Sequence, residues 1–236
     1  MESKRARLDR FLSRELKVNR KDVRLMLAQS RVRVDGVVAK NIQQLVGEFS
    51  HVCLDGRVLK NKTPSYVMLN KPVGVVCATK DTKHKTVIEL LDRQDSTSLH
   101  IVGRLDLNTS GLVLLTNDGR WSRKLMSPEY KVEKRYLVTL KSPLSEEYIH
   151  AFAKGFYFEF EDITTQAAKL EIIDDCVASV TLTEGKYHQI KRMFGRFRNP
   201  VIGLHRCSIG KLLLDLTLEQ GASRDLTVEE VNGIFG

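Results

Sequence analysis

The sequence lacks the features that mark several large classes of protein. No apolar run approaches the roughly 18–20 residues that a transmembrane helix needs, and residues 1–20 contain no apolar core of a secretory signal. The four cysteines include no C-x-x-C pair, which argues against a structural zinc site and suits a reducing compartment. We therefore expect a cytoplasmic protein that is not inserted in a membrane.

The common cofactor motifs are missing as well. The sequence has no G-x-x-x-x-G-K-[ST] phosphate loop, no G-x-S-x-G nucleophile turn and no H-E-x-x-H metal motif. The segment DLNTSG at 106–111 begins like a calcium loop, but its twelfth position is Asn117 where such a loop needs a bidentate glutamate. None of these common catalytic or metal-binding templates therefore describes this chain.

Positive charge is present in excess and is unevenly distributed. The chain of 236 residues is 42% hydrophobic and carries a net charge of +9. Residues 1–62 contain 15 Lys/Arg and 7 Asp/Glu, whereas residues 63–236 contain 23 and 22. The pattern predicts a small basic module attached to a nearly neutral body, and it favours a polyanionic partner such as nucleic acid over a cationic ligand.

The basic N-terminal segment has a recognisable pattern. Apolar residues at helical spacing predict a helix over 8–16, and Asn19 with Asp22 predicts the capped start of a second helix. Asp35-Gly36 between valines predicts a hairpin. The segment 7–36 resembles the S4-type RNA-binding module, although a charged, solvated helix pair would look similar. The resemblance implies RNA contacts from Arg7, Arg10, Arg14, Arg20, Lys21, Arg24, Arg31 and Arg33.

The remainder of the chain mixes strands and short helices. Strands are expected over 66–69, 75–78, 112–116, 136–140 and 177–183. Helices are expected near 120–126, 145–153, 188–197 and 227–234. Because these elements do not alternate regularly, the pattern predicts an α+β fold, with a mixed, mainly antiparallel sheet flanked by helices, rather than a doubly wound sheet. The expected domains are an S4-like domain over 1–60, a polar linker over 61–65 and a second domain over 66–236.

Two segments of the second domain are candidates for chemistry. In 103–112, Asp106 lies among small, turn-forming residues just before a strand, as in a loop that delivers one side chain to a cleft; an Asp that only caps its own turn is an equally good interpretation. The segment 186–211 contains seven Lys/Arg and no acid. Such a run can hold phosphates, or it can be a solvated helix face.

Five motifs in order resemble the RsuA-type pseudouridine synthase family. They are MLNKPVG at 68–74, GRLDLNTSGLVLLTNDG at 103–119, EKRYLV at 133–138, EGKYHQIKRMF at 184–194 and LHRCSIG at 204–210. Together with the S4-like segment they span nearly the whole chain. The resemblance implies isomerisation of a uridine within RNA to pseudouridine, without metal or cofactor.

The resemblance also implies roles for particular residues. Asp106 falls on the catalytic aspartate, Tyr136 on the tyrosine that stacks on the uracil, and Lys191 on the cation that pairs with the aspartate; Lys186 is the alternative partner. Substrate contacts are implied for Arg104, Leu204, Asn70 and Lys71. Further RNA contacts are implied for Lys186, Arg192 and Arg196.

The expected partner is ribosomal RNA, and the closest branch implies 16S (small-subunit) rRNA or a small-subunit assembly intermediate as the substrate of a monomeric enzyme. Large-subunit rRNA or tRNA is the alternative substrate. Two other functions remain open: a non-catalytic RNA-binding or ribosome-assembly factor, and a metal-dependent nuclease using Asp106, against which the lack of a second clustered carboxylate argues.

Overall fold

The computed structural model describes residues 5–235, and the chain divides into two compact units after Pro64. The segment 61–65 that we expected to be a linker lies between the last strand of the first unit and the first strand of the second. Its final residue already belongs to the larger unit, because the Ser65 amide donates to Asn117 Oδ1 at 2.9 Å.

The N-terminal unit combines two helices with short strands. The helices are α1 (Leu8–Leu16) and α2 (Arg20–Ala28). The strands are β1 (Ala6–Arg7), β2 (Val32–Val34), β3 (Val37–Val38), β4 (Leu45–Val46), β5 (Val52–Leu54) and β6 (Arg57–Lys60). Strands β3, β2, β5 and β6 form one sheet in that order, and β1 pairs with β4.

Local sequence signals explain this small unit. The apolar face of α1 is buried, as its spacing predicts, and the capping box of Asn19 and Asp22 begins α2. The expected hairpin forms because Asp35 (φ 52°) and Gly36 (φ 80°) adopt the left-handed conformations that a type I′ turn requires.

The larger unit is built on one sheet. Its strands are β7 (Tyr66–Lys71), β8 (His100–Val102), β9 (Ser110–Thr116), β10 (Lys134–Leu140), β13 (Lys169–Asp174), β14 (Val177–Leu182), β15 (Val201–Ile209), β16 (Leu212–Leu213) and β17 (Ser223–Asp225). A separate small pair consists of β11 (Tyr157–Phe158) and β12 (Ile163–Thr164).

The strand order confirms the predicted fold class. The main path runs β13, β14, β10, β15, β9, β7, β17, with β8 beside β9 and β16 beside β15. Strands β15 and β9 are parallel, and the other described pairs of this sheet are antiparallel. The parallel pair matters for function because it aligns the start of β9 with the middle of β15.

Both faces of this sheet are covered. The helices are α3 (Gly119–Met126), α4 (Glu146–Lys154), α5 (Gln189–Gly195) and α6 (Val228–Gly233). Along β9, Val113 and Leu115 belong to the core that contains Phe152 of α4 and Phe194 of α5, whereas Leu114 belongs to the core that contains Leu125 of α3. This alternation explains why β9 is an apolar run rather than a polar–apolar repeat.

The four predicted helices are confirmed to within a few residues, but the strand expected over 75–78 is wrong. Only a single bridge joins Val76 to Thr86 there. Val75 and Cys77 of this segment are buried in the core instead, so burial rather than strand pairing explains why these two residues are hydrophobic. In the part of the chain that the structure describes, every helix is too short or too polar to span a bilayer.

Candidate active site

The loop 103–109 joins β8 to β9 and carries Asp106. It begins at Gly103, which has φ 75°, and it turns through a hydrogen bond from the Thr109 amide to the Asp106 carbonyl at 3.1 Å. Just beyond it, Gly111 has φ 105°, and a Cβ there would overlap the backbone of Arg206. The glycine therefore allows the close approach of β9 to β15 that holds the loop against the sheet.

Lys71 supports this loop from beneath. Its side chain is fully buried, and its ammonium donates to the Thr109 carbonyl at 2.6 Å and to the Pro72 carbonyl at 2.9 Å. Burial lowers the pKa of Lys71, an effect that nearby Cys77 and Asp106 oppose. The expectation that Lys71 contacts the substrate is wrong, because its charged end is buried and occupied by backbone carbonyls under the loop.

Arg206 is a second buried cation of the same kind. It is 1% exposed, and it donates from Nε to the Leu112 carbonyl and from Nη2 to the Gly103 carbonyl, both at 2.8 Å. It therefore ties the start of the loop to β9. Although Arg206 lies within the basic run 186–211, its buried position excludes it from any RNA-facing surface.

Asn70 also points away from the loop's tip. Its side-chain amide donates to the Leu218 carbonyl at 2.8 Å, and its backbone bonds both Gly221 and Ala222. Only 8% of the residue is exposed. The expected substrate contact of Asn70 is therefore corrected to a structural one, which anchors the segment before β17.

A cavity of about 100 Å³ opens beside Asp106. Its lining includes Arg104, Tyr136 from β10, Leu204 from β15 and Lys191 from α5. Tyr136 is 9% exposed and belongs to the core, whereas Arg104 is exposed on the loop. One small cavity thus gathers five residues that lie up to 100 positions apart in the sequence and that motif resemblance had assigned to one site.

Two cationic or basic groups flank Asp106. Lys191 Nζ lies 3.6 Å and His188 Nε2 lies 3.4 Å from Asp106 Oδ2. Lys186 also lines the cavity, but its ammonium pairs with Glu184 Oε2 at 3.1 Å. Of the two lysines considered as partners of Asp106, the geometry therefore favours Lys191, one helical turn into α5.

His188 is a residue that the sequence reasoning missed. It stands immediately before α5 in a left-handed conformation (φ 49°), and its ring stacks on Tyr187 with centroids 3.9 Å apart. The neighbouring Gln189 fixes this turn, because its side chain accepts from the Lys186 amide at 2.9 Å and donates to Glu184 at 2.7 Å. The spacing of His188 and Lys191, three residues apart on a predicted helix, was the signal that both could face one group.

The basic run 186–211 is partly neutralised by acids from another segment. Arg192 makes two hydrogen bonds of 2.6 Å to Glu161 and stacks over the ring of Phe158. Arg196 donates to the Tyr157 carbonyl at 2.6 Å. Both guanidinium groups are therefore engaged by the segment 157–161, and the RNA contacts expected of Arg192 and Arg196 stay a prediction.

The N-terminal unit has a pocket of its own, about 200 Å³, lined by Arg7, Asp9, Arg10, Ser13 and Arg20. Asp9 is buried, and Arg7 and Arg20 approach its Oδ2 at 2.8 and 2.9 Å. Burial acts to raise the pKa of Asp9, but the hydrogen bonds from Arg7 and the Arg10 amide and the charges of the two arginines hold it below its usual value.

The other basic residues of this unit lie mostly at its surface. Arg31 pairs with Asp55 at 2.6 Å, and Arg33 donates to the Gly36 carbonyl at 3.0 Å. The remaining predicted RNA-contacting side chains, all exposed, are Arg14, Lys21 and Arg24. Within residues 5–235, no three His, Cys, Asp or Glu side chains lie close enough together to hold a metal ion.

The cavity beside Asp106, at the edge of a sheet covered on both faces, is the candidate active site of the larger unit. Residues 65–195 match the family model described as RNA pseudouridylate synthase. A solved structure described as "Crystal structure of pseudouridylate synthase" is 39% identical, has a TM-score of 0.71, and covers 98% of this chain and 99% of that one.

Curated relatives cover almost the whole chain. The "Ribosomal small subunit pseudouridine synthase A" of Pseudomonas aeruginosa is 47% identical over 95% of this chain and 98% of the relative. The proteins of that name from Vibrio cholerae and Escherichia coli K12 are 44% and 42% identical over 97% of this chain and 99% of their own lengths. The chain therefore belongs to the RNA pseudouridylate synthase family, and it is an isomerase that acts on RNA.

Proposed function

We propose that this enzyme converts a specific uridine of 16S (small-subunit) ribosomal RNA to pseudouridine, in the cytoplasm where bacterial ribosomes are assembled, and that it acts as a monomer. The observation that carries the chemical part is the position of Asp106, which projects into a cavity floored by Tyr136 and Leu204 with Lys191 beside it. The names of the relatives support the choice of substrate.

In the proposed mechanism Asp106 acts at the ribose. Cleavage of the bond between the sugar and N1 of uracil passes through an oxocarbenium-like state, which an adjacent carboxylate stabilises or traps. The Lys191 ammonium lies 3.6 Å from Asp106 Oδ2, where its charge attracts the carboxylate without occupying it through a short hydrogen bond. The freed uracil turns within the cavity and bonds the sugar through C5.

The uridine must leave the RNA stack to reach Asp106, which costs a few kcal/mol. Tyr136 would stack on the extruded uracil with Leu204 packed against it, and Arg104 at the exposed end of the loop would contact the RNA beside the vacated position. These contacts would offset the cost of unstacking.

The N-terminal unit, residues 1–64, would dock the RNA as an S4-like module. Its arginine-lined pocket and exposed basic residues suit the phosphate backbone, whose contacts position an RNA without reading its sequence. The net charge of this segment predicts that docking weakens steeply as salt rises, because bound counterions are released.

The test uses the purified full chain and rRNA transcripts carrying tritium at C5 of uridine. We expect tritium release from 16S rRNA, and mapping of the modified nucleotide to one position, with little release from large-subunit rRNA or tRNA. Preference for one of those RNAs would correct the substrate but not the chemistry. Tight binding of 16S rRNA or its assembly intermediates without tritium release would instead favour a non-catalytic assembly factor.

A further inference from the structure

His188 lies at the active site, yet the reaction as described so far gives it no role. Isomerisation requires a proton to leave C5 of uracil after the new carbon–carbon bond has formed. Resting on the proposed function, we propose that His188 is the base that takes this proton from C5.

The cavity offers few other acceptors. Among the described residues that line it, Arg104, Lys186 and Lys191 are cations at neutral pH and cannot accept a proton. The hydroxyls of Tyr136 and Thr109 and the amide of Gln189 are very weak bases. Asp106 and His188 remain, and because Asp106 acts at the sugar in the proposed mechanism, the ring nitrogen of His188 is left as the acceptor for the C5 proton.

The position of His188 suits the transfer. Its Nε2 lies 3.4 Å from Asp106 Oδ2, so it reaches the same space as the carboxylate at the sugar. A carboxylate at that distance stabilises the imidazolium that forms when the ring takes a proton. The side chain is 37% exposed, so the ring can release the proton to solvent afterwards.

The ring is also held in place. It stacks on Tyr187 with an interplanar angle of 19°, and its backbone is fixed in the left-handed region at the start of α5. Residues held in such conformations are concentrated at functional sites. Lys191 on the next turn faces the same carboxylate, so both groups move together with α5.

The step balances as follows. After C5 has bonded to the sugar, C5 still carries its hydrogen, and uracil has a double bond between N1 and C6. The C5–H bond breaks, the proton goes to His188 Nε2, and its electron pair forms the C5–C6 double bond. The electron pair of the N1–C6 double bond returns to N1, which takes a proton from water.

The test compares the wild-type enzyme with His188→Asn under single-turnover conditions. Asparagine is chosen because it tolerates the left-handed backbone. The substrate is 16S rRNA with either hydrogen or deuterium at C5 of uridine.

We expect the rate to fall by about a hundredfold, as for loss of a general base. In the variant, removal of the C5 proton becomes rate-limiting, so an isotope effect larger than that of the wild type should appear. Added imidazole should restore part of the rate.

Lys186→Gln is the matched control, because Lys186 lines the same cavity two residues before His188 but accepts no proton. Its isotope effect should equal that of the wild type whatever its rate. A His188→Asn enzyme that turns over with a wild-type isotope effect, at whatever rate, would overturn the proposal and assign His188 a positioning role. Failure of the wild-type enzyme to release tritium would instead contradict the proposed function itself.

Discussion

Asp9 in the N-terminal unit and Asp106 in the larger unit each have two basic side chains beside one carboxylate, but the two arrangements differ. Around Asp9, Arg7 and Arg20 approach to 2.8 and 2.9 Å, and the carboxylate also accepts hydrogen bonds from Arg7 and from a backbone amide. Around Asp106, the nearest basic atoms lie at 3.4 and 3.6 Å and 34% of the side chain is exposed.

The difference separates a carboxylate that organises its neighbours from one that remains available to react. The lone pairs of Asp9 are occupied, and only 5% of its side chain is exposed, so it fixes the arginines around it. Asp106 is held by its backbone, through the loop that Lys71 and Arg206 support. Charge near Asp106 can keep it ionised without blocking its oxygens. Substitutions at either carboxylate, or at its supports, test this contrast.

The largest effect is expected at Asp106. Asp106→Asn keeps the shape of the side chain but removes the charge that stabilises the sugar, so the rate of tritium release should fall at least about a thousandfold. RNA affinity, measured by filter binding, should remain close to that of the wild type. Asp175→Asn, at an exposed turn between β13 and β14, is the matched control and should retain activity. Comparable activity of Asp106→Asn would refute the assignment.

Lys191 should give the next largest effect. Lys191→Gln removes the lysine ammonium that lies 3.6 Å from Asp106 Oδ2, so the carboxylate loses this electrostatic partner, and kcat should fall about a hundredfold with KM little changed. Lys191→Arg, which keeps the charge, should recover much of the rate. If Lys186→Gln lowered kcat more than Lys191→Gln did, then Lys186, despite its pairing with Glu184, would be the functional partner.

The contrast also shows what the sequence could predict. Motif order was enough to group Asp106 with residues that the structure places around the same cavity, and the capping residues were enough to locate helix starts. The sequence could not distinguish buried cations from surface ones, because burial of Lys71 and Arg206 depends on carbonyls that converge only in the folded sheet. Likewise, the acid that neutralises Arg192 is Glu161, 31 positions earlier, so a count of charges within one segment overestimated its free positive charge.

Loss of the support beneath the Asp106 loop should have a smaller effect on stability than a cavity in the core, but one that is measurable. Lys71→Met keeps the length of the side chain and leaves the buried Thr109 carbonyl and the partly buried Pro72 carbonyl without their donor. Leaving one buried carbonyl unsatisfied costs about 1–3 kcal/mol. Thermal unfolding of the larger unit should therefore occur at lower temperature, and kcat should fall because the loop is less well fixed. Lys80→Met, at an exposed site, should change neither the unfolding temperature nor kcat. A stable, fully active Lys71→Met enzyme would show that the loop keeps its conformation without the hydrogen bonds from Lys71.

The smallest effect is expected at Asp9, where two opposing contributions decide whether RNA affinity rises or falls. Asp9→Asn removes a negative charge from a basic surface, which by charge alone should strengthen RNA binding. It also frees Arg7 and Arg20, and ordering each of them again on binding costs roughly 0.5–1.5 kcal/mol. The free-energy cost of ordering two arginines exceeds the gain from removing one partly screened negative charge. We therefore expect affinity for 16S rRNA to fall roughly fivefold, about 1 kcal/mol. Tighter binding by Asp9→Asn would show that Asp9 opposes the RNA rather than organising its site.

The pH dependence of stability provides a second measurement on the same variant. Because the pKa of Asp9 is lowered in the folded protein, its contribution to stability is complete above the unfolded value of about 4 and is lost as the pH falls through the folded value. As the pH falls through this acidic range, the stability of the wild-type protein should therefore decrease more than that of Asp9→Asn, because the asparagine side chain does not titrate. Parallel curves for the two proteins below about pH 4 would mean that the arginines do not stabilise the ionised form of Asp9.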